Sequence, residues 1–289
     1  MSEQDEKFEP LPEQRAIEGL DRDQRGPTMK KPTDPVGGDL VDRVVAFIDI
    51  LGFTDIVKNA CAGDESSLLR VRSALRSIWS QHFVTNEGLM GMKNLTPEAR
   101  ATAFSDNIVI SDLNKPSEIS RVFREVAFLA KMLLCAGTPC RGGIATGKML
   151  HNDQVVFGVG LLKAYTLEHD IAVYPRIVVQ DDLVQHASPS FSTRLKRDSD
   201  GVYFIDVFKE LRITDADTTL KFITGQIGYD DMVNTPDVDA FVSVHKLLVT
   251  ALANTAGDVR RHTKYRWLAN QFNEGVTDYV PGQVEQIKL

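Results

Sequence analysis

The spacing of hydrophobic residues predicts strands and helices that alternate along the chain. Residues 43–50 (RVVAFIDI) form a short apolar, β-branched run, which is typical of a buried strand. Residues 65–84 and 117–136 carry apolar side chains at helix-face intervals. The predicted order is a strand at 43–50, helices at 53–60 and 65–84, strands at 100–105 and 107–112, a helix at 117–136, a strand at 140–149 and a helix at 157–169. This β-α-β-β-α-β order predicts an α+β fold with a ferredoxin-like palm.

The remaining pattern predicts further elements after the palm. A strand at 175–179, a short helix at 181–187, a strand at 202–207, and helices at 236–256 and 258–274 are expected in that order. The polar, proline-rich start of the chain predicts a flexible tail. We therefore divide the chain into a tail at 1–40, a catalytic domain at 41–215 and a C-terminal helical extension at 216–289.

Composition narrows the choice of partners. The chain has 289 residues, of which 43% are hydrophobic and 25% charged, with a net charge of −7. An acidic protein of this kind is a poor binder of nucleic acid or of anionic membranes. We find no signal-peptide pattern and no apolar run of membrane-spanning length, so we expect a cytoplasmic protein without membrane or nucleic-acid partners. An anionic substrate then requires metal ions or a few well-placed cations.

Two aspartates are candidate ligands for metal ions. Asp49 interrupts a run that otherwise reads as buried, and a buried carboxylate is costly unless it is paired or bound to a metal. Asp106 lies between two predicted strands that form a hairpin beside the first strand. Carboxylates at adjacent strand ends can bridge two divalent ions about 3.5–4 Å apart. Gly52 then permits a tight turn into a helix, whose free amides suit phosphate groups.

Four segments resemble motifs of class III adenylate and guanylate cyclases. FIDILGFTD (47–55) resembles their F-x-D-I-x-G-F-T signature, and AFSDN (103–107) matches the position of their second metal aspartate. RGGIATG (141–147) resembles their R-x-G-I-x-x-G strand, and FGVGLLKAYTLE (157–168) stands where they carry W-G-x-x-V-N-x-A-x-R-x-E. The resemblance covers roughly residues 43–180 and implies the class III nucleotide cyclase type of palm.

The resemblance also implies roles for individual residues. Asp49 and Asp106 would be the catalytic aspartates and would hold two divalent cations, Mn²⁺ or Mg²⁺, with help from the Ile50 carbonyl. Phosphates of a nucleoside triphosphate would contact the amides of Gly52, Phe53 and Thr54, and also Lys148. In such enzymes the metal site and the base pocket come from different subunits, so a homodimer with composite active sites is implied.

Departures from the family pattern concern the base and the transition state. The purine-selecting positions are occupied by Thr102 and Val155, and the transition-state Asn and Arg are replaced by Leu162 and Thr166. F-G-x-x-L-x-x-A-Y-x-L-E and KYRWLANQFN (264–273) resemble the bacterial pyrimidine cyclases of Pycsar antiphage systems. That resemblance implies conversion of UTP to cyclic UMP, with CTP the next candidate, and a downstream effector activated by the cyclic nucleotide. A purine cyclase with unusual base contacts and an inactive nucleotide-sensing module are the alternatives.

Further substrate contacts are assigned to side chains near these motifs. Arg100, Thr102 and Tyr165 are candidates for contacting the base, and Lys163 or Arg141 for replacing the missing transition-state Arg. Each also has a structural interpretation, as a surface-strand residue, a helix-packing residue or a solvated charge. Asp106 alone would equally suit a hairpin turn.

Overall fold

The predicted βαββαβ palm is present in a computed structural model that describes residues 37–87, 98–212 and 236–289. The described residues from Gly38 to Leu289 belong to one compact unit. The palm consists of β1 (Val41–Ile50), α1 (Phe53–Cys61), α2 (Glu65–Glu87), β2 (Arg100–Phe104), β3 (Asn107–Leu113), α3 (Pro116–Cys135) and β4 (Cys140–His151). These bounds agree with the predicted ones to within a few residues.

A second group of elements extends the sheet beyond β4. It contains β5 (Val156–Gly158), α4 (Val159–Thr166), a π-helical turn (Leu167–Ile171), β6 (Ile177–Val179), α5 (Asp181–Val184), α6 (Pro189–Ser192), β7 (Leu195–Arg197), β8 (Tyr203–Ile205) and a 3₁₀ turn (Val207–Glu210). The strands of the described ranges form one sheet in the order β2-β3-β1-β4-β6-β8-β7, with β5 paired to β4. The first four positions have the ferredoxin-like order, and their neighbours are antiparallel. The predicted fold class is therefore confirmed.

The two faces of the sheet are covered differently. Side chains alternate along β1, so Val44, Ala46 and Ile48 point into the main core with α3, while Val45 belongs to a smaller cluster that includes Ala164 of α4. The odd-numbered residues of β1, including Asp49, therefore share the face on which α4 packs.

Glycines in β4 allow α4 to lie directly on the sheet. A Cβ on Gly147 would come within 2.8 Å of the Gly160 amide nitrogen, and one on Gly143 would overlap the backbone around Ala164. The glycine-rich RGGIATG segment is thus explained by close helix packing. The helix predicted at 157–169 begins later, at Val159, because residues 156–158 pair with β4. It then widens into the π-helical turn, which was not predicted.

Two long helices follow the palm, as expected for the C-terminal extension. They are α7 (Val238–Thr255) and α8 (Val259–Tyr279), and Asp237 and Asp258 cap their first turns. Both pack on the 3₁₀ turn, where Phe272 lies 5.8 Å from Phe208 between ring centroids. None of the helices within the described ranges is long and apolar enough to cross a bilayer.

Candidate active site

Three adjacent strands bring Asp49 and Asp106 to one edge of the palm. Asp49 is the second-to-last residue of β1, and it is paired with Asn107 of β3 and with Arg141 of β4. Asp106 precedes Asn107 in the turn between β2 and β3. The Ile50 amide donates a hydrogen bond of 3.3 Å to the Asp106 carbonyl, which ties the two segments together. The predicted juxtaposition of these two acidic residues is therefore present in the fold.

The turn that carries Asp106 consists of two residues, Ser105 and Asp106. Ser105 has φ of +56°, and it is the one non-glycine residue with positive φ in the described ranges. This conformation costs an ordinary residue on the order of 1 kcal/mol. The cyclase motif that AFSDN resembles usually has glycine at this position, and a left-handed backbone is a physical reason for that glycine.

The electrostatics of Asp49 reflect a second carboxylate nearby. Burial is the largest cause of the raised pKa of Asp49, while the positive charge of Arg141 lowers it and the negative charge of Asp106 raises it again. The Asp49 side chain is 21% exposed, so it remains accessible from solvent. Like charges this close are stabilised by a bound cation.

Arg141 and Glu168 extend the site across the sheet. The Arg141 Nε atom lies 3.3 Å from an Asp49 carboxylate oxygen and 2.7 Å from an oxygen of Glu168. Glu168 lies in the π-helical turn, its side chain is almost fully buried, and burial raises its pKa. Glu168 was not among the residues predicted for the site. Its match to the final Glu of the W-G-x-x-V-N-x-A-x-R-x-E pattern could have indicated it.

The oxygen atoms at this edge of the sheet are suitable ligands for small divalent cations. Mg²⁺ and Mn²⁺ prefer oxygen ligands, and Asp49, Asp106 and the Ile50 carbonyl supply only oxygen. No cluster of three or more His, Cys, Asp or Glu side chains with metal-binding geometry occurs in the described ranges. A cation here would therefore be held by two carboxylates together with oxygens of the substrate, and it would compete with Arg141 for Asp49.

The start of α1 leaves backbone amides available beside the aspartates. Gly52 has φ of +73°, and no atom lies within 4 Å of the place where a Cβ would be. The carbonyl of Gly52 accepts bonds from the amides of Asp55 and Ile56, and no side chain caps the helix. Phe53 is buried and Thr54 is exposed. The predicted phosphate-contacting segment is thus an open helix N-terminus next to Ile50.

Other predicted substrate contacts lie far from the aspartates of the same chain. Lys148 is paired with Asp42, seven residues along β4 from Arg141, which corresponds to about 23 Å. Arg100 is paired with Ser111 at the same distant end of the sheet. Within one chain, neither residue joins the Asp49 edge.

Thr102 belongs to a buried polar network. Its hydroxyl lies 2.9 Å from Nε2 of His151, whose Nδ1 lies 2.8 Å from the Ser111 hydroxyl, and Arg43 donates to that hydroxyl over 2.9 Å. Burial, with the charge of Arg43, lowers the pKa of His151 to about 3. The Thr102 hydroxyl is therefore already engaged within the protein.

Tyr165 and Lys163 lie on α4. The ring of Tyr165 meets Phe47 edge to face at 5.5 Å and stacks on His169 at 5.6 Å. The Lys163 ammonium group donates to the Thr146 carbonyl over 3.2 Å. Both side chains are at least partly exposed, on the face of the sheet that also carries Asp49.

Comparisons with known proteins give distant structural neighbours. A class III adenylyl cyclase-like ATP-binding protein from Pseudomonas aeruginosa has 12% identity and a TM-score of 0.37, over 56% of this chain and 37% of that chain. A bacterial light-regulated adenylyl cyclase has 12% identity and a TM-score of 0.40, over 58% of this chain and 52% of that chain. No protein-family model and no curated protein matches. The chain thus spans about half or less of the solved chains, and its function must be inferred from its own residues.

Proposed function

We propose that the chain is a nucleotide cyclase of the class III type. The observation that carries this proposal is the meeting of Asp49 and Asp106 at adjacent strand ends of a βαββαβ palm, beside an uncapped helix N-terminus. The carboxylates would hold two divalent cations, Mn²⁺ or Mg²⁺. The amides that follow Gly52 would bind the phosphates.

We further propose that the particular activity is a uridylate cyclase, acting in antiphage signalling through an effector activated by cyclic UMP. CTP is the next candidate substrate. The uncharged Thr102 stands where purine cyclases read the base with Lys or Glu, and its hydroxyl is bonded to His151. In a homodimer, Arg100, Lys148, Lys163 and Tyr165 of one subunit would then complete the site of the other. For Arg100 and Lys148 this suits their distance from Asp49 in one chain.

The proposed reaction forms one phosphorus–oxygen bond and breaks another. The ribose 3′ oxygen forms a bond to the α-phosphorus, the bond from that phosphorus to the β-phosphate oxygen breaks, and pyrophosphate leaves. The 3′ proton passes to solvent. Bound divalent cations would lower the pKa of the 3′ hydroxyl and offset the charge on the phosphates. The role of Asp49 and Asp106 is to hold that charge in place, since preorganised charge is usually the largest catalytic contribution.

A second candidate is an inactive module that binds nucleotides. The Arg141 guanidinium group already occupies one oxygen of Asp49, as a cation would. Leu162, at the position of the transition-state Asn, is exposed and apolar. These two observations are what an inactive descendant of the family would show.

Incubation with each ribonucleoside triphosphate tests the proposal. The purified chain is mixed with UTP, CTP, ATP or GTP and Mn²⁺, and products are identified by chromatography and mass. Cyclic UMP from UTP supports the uridylate assignment, and a cyclic purine nucleotide would replace it with a purine cyclase. No cyclic product from any of the four would favour the inactive module.

A further inference from the structure

A cavity opens beside Gly52, between α1 and the two C-terminal helices. Its volume is about 510 Å³, which is within the range of small-ligand sites. It is lined by Leu51 and Gly52, which directly follow the Asp49 segment, and by residues of α7 and α8. The cavity thus continues the candidate active site away from the sheet.

The lining of this cavity carries an excess of positive charge. Four cationic side chains face two carboxylates, and three of the four cations belong to the first turns of α8: Arg260, Arg261 and Lys264. The lining therefore favours an anion with several charges.

Lys264 connects the cavity to the carboxylates of the site. Burial lowers the pKa of Lys264, as do the charges of Arg141 and Arg260, while Asp49 and Glu168 raise it. Arg260 lies four residues before Lys264, on the same face of α8. Lys264 thus lies within electrostatic reach of the candidate metal ligand Asp49, and Arg260 lies within reach of Lys264.

Ion pairs hold this part of α8 against α1. Arg261 forms an ion pair with Asp55, three residues after Gly52, and a second one of 3.4 Å with Asp258. Asp258 also accepts a hydrogen bond of 3.1 Å from the Arg261 amide. The start of α8 is thereby fixed against α1, where its cations line the same cavity as Gly52.

We propose that Lys264 and Arg260 bind the β- and γ-phosphates of the substrate, in the chain that supplies Asp49. This inference rests on the proposed cyclase function and gives the C-terminal extension a role in it. The leaving pyrophosphate would be neutralised within one chain, whereas Lys148 lies about 23 Å away along the strand. The α1 amides would complete the phosphate contacts.

Pyrophosphate is the probe that tests this role. Binding of pyrophosphate in the presence of Mn²⁺ is measured by calorimetry for the wild-type chain, Lys264→Met, Arg260→Met and Lys264→Arg. Loss of one charge-assisted contact should weaken binding about 10- to 100-fold in the two methionine variants, and Lys264→Arg should retain most of it. Lys246→Met is the matched control, because Lys246 is exposed on α7 and is not part of the cavity lining. Circular dichroism verifies that each variant is folded. Because Arg260 is exposed, Arg260→Met should leave the fold intact.

The outcomes separate this inference from the proposed function. If the wild-type chain does not bind pyrophosphate, or if both methionine variants bind it as tightly as the wild type, the inference is overturned. If pyrophosphate binding depends on Lys264 but no triphosphate gives a cyclic product, the cyclase proposal fails and the polyphosphate site stands. If products form and the methionine variants raise KM for the triphosphate about 10-fold or more, with Lys246→Met unchanged, both are supported.

Discussion

Two polar clusters lie at opposite ends of β1, on the same face of the sheet. We call them the carboxylate cluster (Asp49, Asp106, Arg141 and Glu168) and the histidine cluster (Arg43, Thr102, Ser111 and His151). In the histidine cluster, Arg43 is 2% exposed, and its members are joined by hydrogen bonds of 2.8–2.9 Å. In the carboxylate cluster, Asp49 is partly exposed and has a like charge beside it.

The comparison shows how similar residue types serve different purposes. A buried polar network whose members satisfy one another stabilises the fold and leaves no group for a ligand. A half-open cluster with repelling carboxylates is stabilised by a ligand that supplies the opposite charge. By this criterion we propose that the carboxylate cluster is the functional end of the sheet within one chain, and that the histidine cluster is structural.

The largest expected effect is on the carboxylate cluster. Asp49→Asn and Asp106→Asn should each lower the rate of cyclic product formation by about 10³-fold or more, because each removes a charge that holds the cations. Melting temperature should change little, since each variant loses the repulsion between the two carboxylates while Asp49→Asn also loses the ion pair with Arg141. The assay is product formation from UTP, and Asp42→Asn is the control, as Asp42 is exposed at the other end of β1. Two asparagine variants with wild-type turnover would contradict the proposed role of the pair.

A matched change in the histidine cluster should affect stability and not chemistry. Arg43→Met removes the donor to Ser111, in a buried setting, and to the Glu98 carbonyl, in a partly buried one. We expect the free energy of unfolding to fall by about 2–4 kcal/mol. Urea unfolding measures this change, and the turnover of the remaining folded protein should match the wild type. Unchanged stability would show that the network is not structural.

The pH dependence of stability sharpens the same comparison. The pKa of His151 is about 3 in the folded chain against 6.5 ordinarily, so between these values the unfolded chain binds the proton and the folded chain does not. Stability should therefore decrease as pH falls below about 6.5, by on the order of 1 kcal/mol per unit. Urea unfolding at pH 7, 6 and 5 should show a steeper decrease for the wild type than for His151→Gln. Parallel pH profiles of the two proteins would rule out this contribution.

The smallest expected effect concerns the turn that presents Asp106. Ser105→Gly removes the strain of a positive φ, and we expect the free energy of unfolding to rise by about 0.5–1 kcal/mol. Thermal unfolding measures the shift, and Ser117→Gly, at the start of α3, should instead destabilise. A loss of stability in Ser105→Gly would show that the serine side chain has a role of its own.

Much of the palm could be predicted from sequence because its signals are local. The apolar run before Asp49, the turn around Asp106 and the periodic face of α3 each specify one element, and their order specifies the topology. The position of both aspartates at one edge follows from that topology.

What could not be predicted depends on contacts between distant segments. Glu168 is buried only because the π-helical turn packs against β4, and Thr102 is bonded only because His151 lies beside it. Lys264 is about 215 residues from Asp49 in sequence, and only the packing of α8 brings their charges together. From helix periodicity alone, Lys264 would be predicted to be a solvated cation.

A crystal structure with Mn²⁺ and a non-hydrolysable UTP analogue tests the central claim most directly. Manganese can be located by its anomalous scattering. We expect anomalous peaks between the Asp49 and Asp106 carboxylates, with Arg141 displaced from Asp49. Peaks elsewhere, or a nucleotide bound with Arg141 still on Asp49 and no manganese there, would contradict it.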